Sequence, residues 1–170
     1  MWMYQVTVPQ FKQMLVNLDS WLGKAVAYAD SKKFDPNTLL NARLAPDQFA
    51  FARQVQSTCD QAKFTVARLT GKEAPSHPDT EQTIDQLRAR VGAVISYLDT
   101  FQPNDFNGAD ERPIELPRTD NKVMLGRDYL IQRQLPNFYF HATTTYAILR
   151  HNGVDLGKRD FIGSLNIRDR

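Results

Sequence analysis

The sequence predicts an all-α protein, a four-helix bundle with a small β-hairpin inserted between the third and fourth helices. Three observations predict it. Apolar residues recur at three- and four-residue spacing over four separate stretches. Helix-punctuating residues stand near the ends of those stretches. The one long departure, residues 102–127, carries Pro103, Gly108, Pro113 and Pro117 with two short alternating apolar runs. Four helices of about twenty residues would each be about 30 Å long, which suits an antiparallel-type bundle. Residues 1–170 read as a single domain, with the hairpin at about 109–126.

The first helix is expected to start near Val8. Thr7 and Gln10 have capping-box spacing, and Pro9 suits a first turn, where its missing N–H costs nothing. Phe11, Met14, Leu18, Trp21, Ala25 and Tyr28 form its apolar face. The second is expected to begin around "APDQFAF", with Pro46 in the first turn and Asp47 facing the helix dipole. Its stripe runs Phe49, Ala52, Val55, Cys59, Ala62, Val66, Leu69, and Gly71 is placed at the C-terminal end.

For the third helix, Asp79 and Gln82 have capping-box spacing ahead of Ile84, Leu87, Val91, Val94, Leu98 and Phe101, the cleanest amphipathic pattern in the chain. "PIELP" and "KVMLG", separated by "RTDN", read as the two strands of the hairpin. The fourth helix covers roughly Arg127 to Asn152. Pro136 interrupts it, and Gly153 closes it. The final residues show no long periodic run.

Composition excludes several classes. The chain is 42% apolar and 24% charged, with a net charge of +2 and no basic run of five, so a nucleic-acid surface is not expected. No stretch approaches the ~20 apolar residues of a membrane span. The N-terminus "MWMYQVTVPQ" lacks a basic region followed by a hydrophobic run, so a cytoplasmic location is expected by default. Cys59 is the single cysteine, which removes a disulfide framework and the zinc motifs that need several cysteines. It is expected to be a small buried hydrophobe.

Three histidines remain. His77, in "PSHPD", reads as an exposed loop residue. His141 and His151 are separated by about 15 Å on an ideal helix and cannot ligate one ion. His151 falls in the last turn, where a cation favours the helix C-terminus. His141 shares a face with Asn137 and Thr145 by i, i+4 spacing and is expected to face inward. A buried imidazole needs hydrogen-bond partners, and on the second helix Gln56 and Asp60 lie within reach of the expected seam. A structural histidine and a ligand or metal site are both open at this point. No phosphate loop, nucleophile elbow or HExxH motif is present.

The stretch "FYFHATTTYAILRHNGVDLGKRDFIG", with "LNARLAPDQFAFARQVQSTCDQAK" and "MYQVTVPQF", resembles an uncharacterised bacterial family within the DinB/YfiT-like metalloenzyme superfamily. The resemblance runs from Met3 to about Gly163. It implies a DinB/YfiT-like bundle with up-down-down-up order, in which the second-to-third helix connection crosses over. It also implies a divalent metal held by three histidines, one on helix two and an i, i+4 pair on helix four ahead of an "LRxxG"-like end. "ILRHNG" matches that end and sets His141 at the second histidine of the pair. Asn137 then stands at the first. "FARQVQSTCD", which should offer the third, holds no histidine.

One imidazole with an amide partner is a poor zinc or nickel site. The expectation is therefore a central polar site that has lost the three-histidine set and binds a small ligand. His141 would be its acid–base or hydrogen-bond centre, with Asn137, Thr145, Gln56 and Asp60 as ligand-binding residues. No cofactor is assured. Two alternatives stand beside it. One is a metal-dependent hydrolase or thiol transferase that uses His141 with oxygen ligands around a divalent ion. The other is a noncatalytic dimerisation or interaction module. A homodimer is expected by analogy with the superfamily.

Overall fold

The computed structural model describes residues 2–116 and 122–169. Four long helical segments carry the core: α1 (Trp2–Lys32), α2 (Phe51–Thr70), α3 (Ile84–Leu98) and α4 (Leu135–His151). Helix α2 packs on α4 and α3, and α1 packs on α3, α2 and α4. A short helix α5 (Lys158–Ile162) closes onto α1.

Helix α1 begins six residues before the expected Val8. Thr7 is not its cap. It lies buried inside the helix, and its hydroxyl donates to the Met3 carbonyl at 2.6 Å. Pro9 is therefore interior. The capping-box spacing misled because the apolar face already starts at Met3, whose burial outweighs the proline penalty. Phe11, Met14, Leu18, Trp21 and Ala25 are buried as the periodicity requires, and Tyr28 is half-buried. Trp21 also ties down α5. Its Nε1 donates to the Asp160 carbonyl at 3.0 Å, and its ring stacks on Phe161 at 5.6 Å.

Helix α2 starts at Phe51, not near Pro46. Pro46 and Asp47 lie in a turn after the 3₁₀ segment Pro36–Asn41, and Phe49 is exposed outside the helix. The Phe51 N–H donates to Ala42 O at 2.8 Å, which fixes the entry of the chain. At the other end Gly71 sits at φ 72°, and its N–H bonds the Ala67 carbonyl, an αL cap as expected. Helix α3 starts at Ile84, not near Asp79. Thr83 is the cap, its hydroxyl accepting from the Gln86 N–H at 3.1 Å. Asp79 is drawn instead into ion pairs with Arg53 and Arg90. The stripe from Ile84 to Phe101 is buried throughout.

Two 3₁₀ turns, Pro103–Phe106 and Ala109–Glu111, lead into a two-stranded antiparallel sheet. Strand β1 (Pro113–Glu115) pairs with β2 (Val123–Leu125), with Ile114 opposite Met124. The expected turn "RTDN" lies outside the described residues. One helical turn, Gly126–Asp128, and a π-helical stretch, Tyr129–Gln134, then run directly into α4. Pro136 does not break the chain path. The Leu135 N–H reaches back five residues to the Leu130 carbonyl, and this wider turn brings Tyr129, Leu130 and Gln134 inside. Gly153 (φ 94°) ends the run as expected.

Two glycines predict opposite outcomes. A Cβ at Gly126 would lie 1.9 Å from the Ala109 carbonyl oxygen, whereas one at Gly92 would meet nothing within 4 Å. In urea unfolding, Gly126→Ala should lower stability by about 1–3 kcal/mol through overpacking. Gly92→Ala, in the middle of exposed helix, should raise it by about 1 kcal/mol. Equal effects would contradict this packing of the hairpin base.

Candidate functional site

His141 is 8% exposed on the inner side of α4, facing the start of α2. Its Nδ1 lies 2.7 Å from Gln54 Oε1. Gln54 is itself buried, and its Nε2 donates to the Phe49 carbonyl at 3.2 Å. A carbonyl can only accept, so the amide must turn its nitrogen to Phe49 and its oxygen to the imidazole. That orientation places the His141 proton on Nδ1. It leaves the Nε2 lone pair without a hydrogen-bond partner among the described residues, and that atom is not sealed from solvent. The Phe49 ring lies nearly parallel to the imidazole at 6.5 Å, and Phe140 meets it edge-on at 5.3 Å. Burial and the nearby Arg53 guanidinium both push the His141 pKa below its ordinary value of 6.5. At neutral pH the ring is therefore a neutral base with a fixed tautomer.

The other expected site residues are engaged differently. Thr145 donates its hydroxyl to the His141 backbone carbonyl at 2.9 Å, bonding within its own helix. Asn137 is half-buried one turn before His141. Gln56 and Asp60 belong to a second polar cluster around α3 and the connection 72–83. Gln56 Nε2 donates to Glu81 at 2.8 Å. Asp60 pairs with Arg90 at 2.8 Å and with the buried Lys63 at 3.0 Å. His77 is not simply an exposed loop residue. It is half-buried, and its Nδ1 lies 3.1 Å from Lys63 Nζ, which makes it an acceptor for the ammonium. Its pKa is lowered by burial and by Lys63 and Arg90. Burial works against the Glu81 carboxylate, but hydrogen bonds from Arg90, its own backbone and Gln56 hold its pKa below the usual value.

Arg53 joins the two clusters. It pairs with Asp79 on one side and lies over the Phe49 ring at 5.7 Å on the other. His151 is exposed at the end of α4. Cys59 is fully buried, and burial raises its thiol pKa to about 12, so it is no nucleophile.

Gln54 was missed by the sequence reading. Counting the stripe from Phe49 centred the seam on Ala52, Val55 and Cys59. The stripe from Val55 to Leu69 is buried, but the buried face of α2 is wider than that stripe and also takes in Gln54 and Thr58. The available signal was an uncharged amide one turn before Thr58 and directly beside Val55 of the apolar stripe.

The donor set does not fit a transition metal. His141 offers one free nitrogen, and the Gln54 oxygen is already occupied by Nδ1–H. Zinc and nickel need several nitrogen or sulfur donors. Among the described residues no group of three His, Cys, Asp or Glu could hold a metal ion.

A mostly helical chain with one short antiparallel sheet, built around this site, matches the DinB class. The crystal structure of a DinB family member protein from Shewanella denitrificans superimposes with a TM-score of 0.96. It is 47% identical and covers 99% of this chain and 96% of that one. The model of the family described as domain of unknown function DUF1993 matches residues 3–162, and the chain belongs to that family. No curated protein matches it. No helix among the described residues is long and apolar enough to cross a membrane.

The lowered pKa values of His141 and His77 set the sign of an acid response. Near pH 6.5 and below, the unfolded chain takes up these protons before the folded one does. Stability is therefore present above pH 6.5 and falls as pH drops toward the folded values. Urea unfolding should show a less stable protein at pH 5 than at pH 7, with the slope reduced in His141→Gln and in His77→Gln. A stability that is unchanged across this range would contradict both assignments.

Proposed function

We propose that the protein binds a small ligand at the His141 end of the α2–α4 seam, with Nε2 of His141 accepting a hydrogen bond or a proton from it. The observation that carries this reading is the clamped Gln54 amide. It holds one imidazole nitrogen protonated and leaves the other bare, toward solvent, between Phe49 and Phe140. A solvent-facing nitrogen with a fixed lone pair is open to a ligand donor in place of water. The ligand chemistry that suits it is a weak acid or hydroxyl donor attached to a flat or apolar group that the two rings can cover. Asn137, half-buried one turn away, is a further polar contact. The up-down-down-up order of a DinB-like bundle is part of the proposal, supported by the long connection 72–83 between α2 and α3.

Native mass spectrometry of freshly purified protein, followed by an NMR screen of phenols and heterocyclic N–H donors, tests this. Ligands are expected to shift the His141 ring resonances in the wild type, and their binding, read from the ligands' own signals, is expected to be lost in a folded His141→Gln variant. A screen in which no compound moves those resonances would contradict the proposal.

A second reading is favoured by the surface beside the site. Phe140, Phe49 and Leu44 are all strongly exposed, and Leu44, Tyr139, Phe140, Thr143, Thr144 and Ala147 line an open groove of about 480 Å³. This face suits homodimerisation. Light scattering at micromolar concentration should report a dimer that Phe140→Asp dissociates. A monomeric wild type would contradict this reading.

A further inference from the structure

We propose that the cleft between the C-terminal end of α2 and strand β1 is a second binding site, for an oxyanion headgroup carried on a short apolar body. The cleft has a volume of about 590 Å³ and is lined by Arg68, Gly71, Arg112, Pro113, Ile114 and Glu115, with Leu116 at its edge. Arg68 and Arg112 are both half-buried in it, and neither has a carboxylate partner among the described residues. Lys72, beside Gly71 in sequence, is by contrast paired with Asp105 at 2.8 Å.

Each guanidinium is fixed by a neutral contact that spends only part of its donor set. Arg68 gives one terminal nitrogen to the Tyr129 hydroxyl at 2.9 Å and lies over the Phe64 ring at 5.3 Å. Arg112 gives Nε to the Leu69 carbonyl at 3.0 Å, capping α2. Its two terminal nitrogens have no hydrogen-bond partner among the described residues. They lie against Gly71, where a Cβ would come within 2.7 Å of Nη1. Two forks held in place with free N–H groups are suited to carboxylate or phosphate. Pro113 and Ile114 supply the apolar wall. Among the described lining residues Glu115 is the one acid, and its charge opposes an anion.

This site is separate from that of His141. Gln54 and Arg68 are fourteen residues apart on α2, about 21 Å along the axis. The two proposals therefore fail or stand independently.

Titrating the full chain with butyl phosphate, pentanoate and inorganic phosphate under ¹H–¹⁵N NMR tests it. Saturable shifts at Gly71, Arg112, Ile114 and Glu115 are expected from butyl phosphate or pentanoate, and which of them binds identifies the headgroup. Arg68→Gln should weaken that binding about tenfold, the loss of a charge-assisted hydrogen bond. Glu115→Gln, on an exposed strand position, should tighten it. An apolar wall that takes part makes butyl phosphate or pentanoate bind more tightly than inorganic phosphate. The proposal is overturned if neither organic anion gives saturable shifts there, if they bind no more tightly than inorganic phosphate, or if binding survives Arg68→Gln unchanged in a folded variant.

Discussion

Helix α2 is buried against three other helices, yet Gln54, Gln56, Thr58, Lys63 and Thr65 are all buried polar positions on it. Each is a donor or acceptor removed from water, and each unpaired one would cost about 1–3 kcal/mol. The surrounding structure is arranged to meet that demand. Thr58 and Thr65 bond back to their own helix, and Gln134 of the π-helical stretch adds a bond to Thr65 at 3.0 Å. Lys63 is satisfied by Asp60 and His77, and Gln56 by Glu81. Gln54 is satisfied by the Phe49 carbonyl and by His141.

These pairings draw distant parts of the chain onto one helix. The connection 72–83 is held because Glu81 and Asp79 meet Arg90, while His77 meets Lys63. Three carboxylates, Asp60, Asp79 and Glu81, balance three cations, Arg53, Lys63 and Arg90, so burial is tolerated without a stranded charge. One guanidinium atom, Arg90 Nε, is buried with no partner among the described residues. At the α4 side the same demand gives a different result. Pairing Gln54 uses only one nitrogen of His141, and the second has no hydrogen-bond partner among the described residues. The candidate site is thus a by-product of how α2 is buried, and Arg53, touching both Asp79 and Phe49, connects it to the connection segment.

The helices and the inner faces of α1 and α3 were legible in the sequence because apolar periodicity reports burial directly. The stripe Ile84 to Phe101 and the Gly71 and Gly153 ends follow from that and from backbone sterics. Helix starts were less legible. Thr7–Gln10 and Asp79–Gln82 have cap spacing, but tertiary burial of Met3 extended α1 past the first, and ion pairing of Asp79 removed the second. On α2 the buried face is wider than its apolar stripe, and Gln54 is a polar member of it, so apolar periodicity did not display it. Asn137, His141 and Thr145 were found together by i, i+4 spacing, but Gln56 and Asp60 are turned toward Arg90 and Glu81 by charges that no local pattern displays. The π-helical stretch before Pro136 has no signature beyond the proline itself.

Whether Gln54 fixes the imidazole is read most directly from the tautomeric state of His141, by ¹⁵N chemical shifts of the ring nitrogens at neutral pH. A neutral ring protonated at Nδ1 with Nε2 bare, held so by Gln54, is expected in the wild type, and a mixed population in Gln54→Leu. A ring protonated at Nε2, or an equal mixture of tautomers in the wild type, would contradict it.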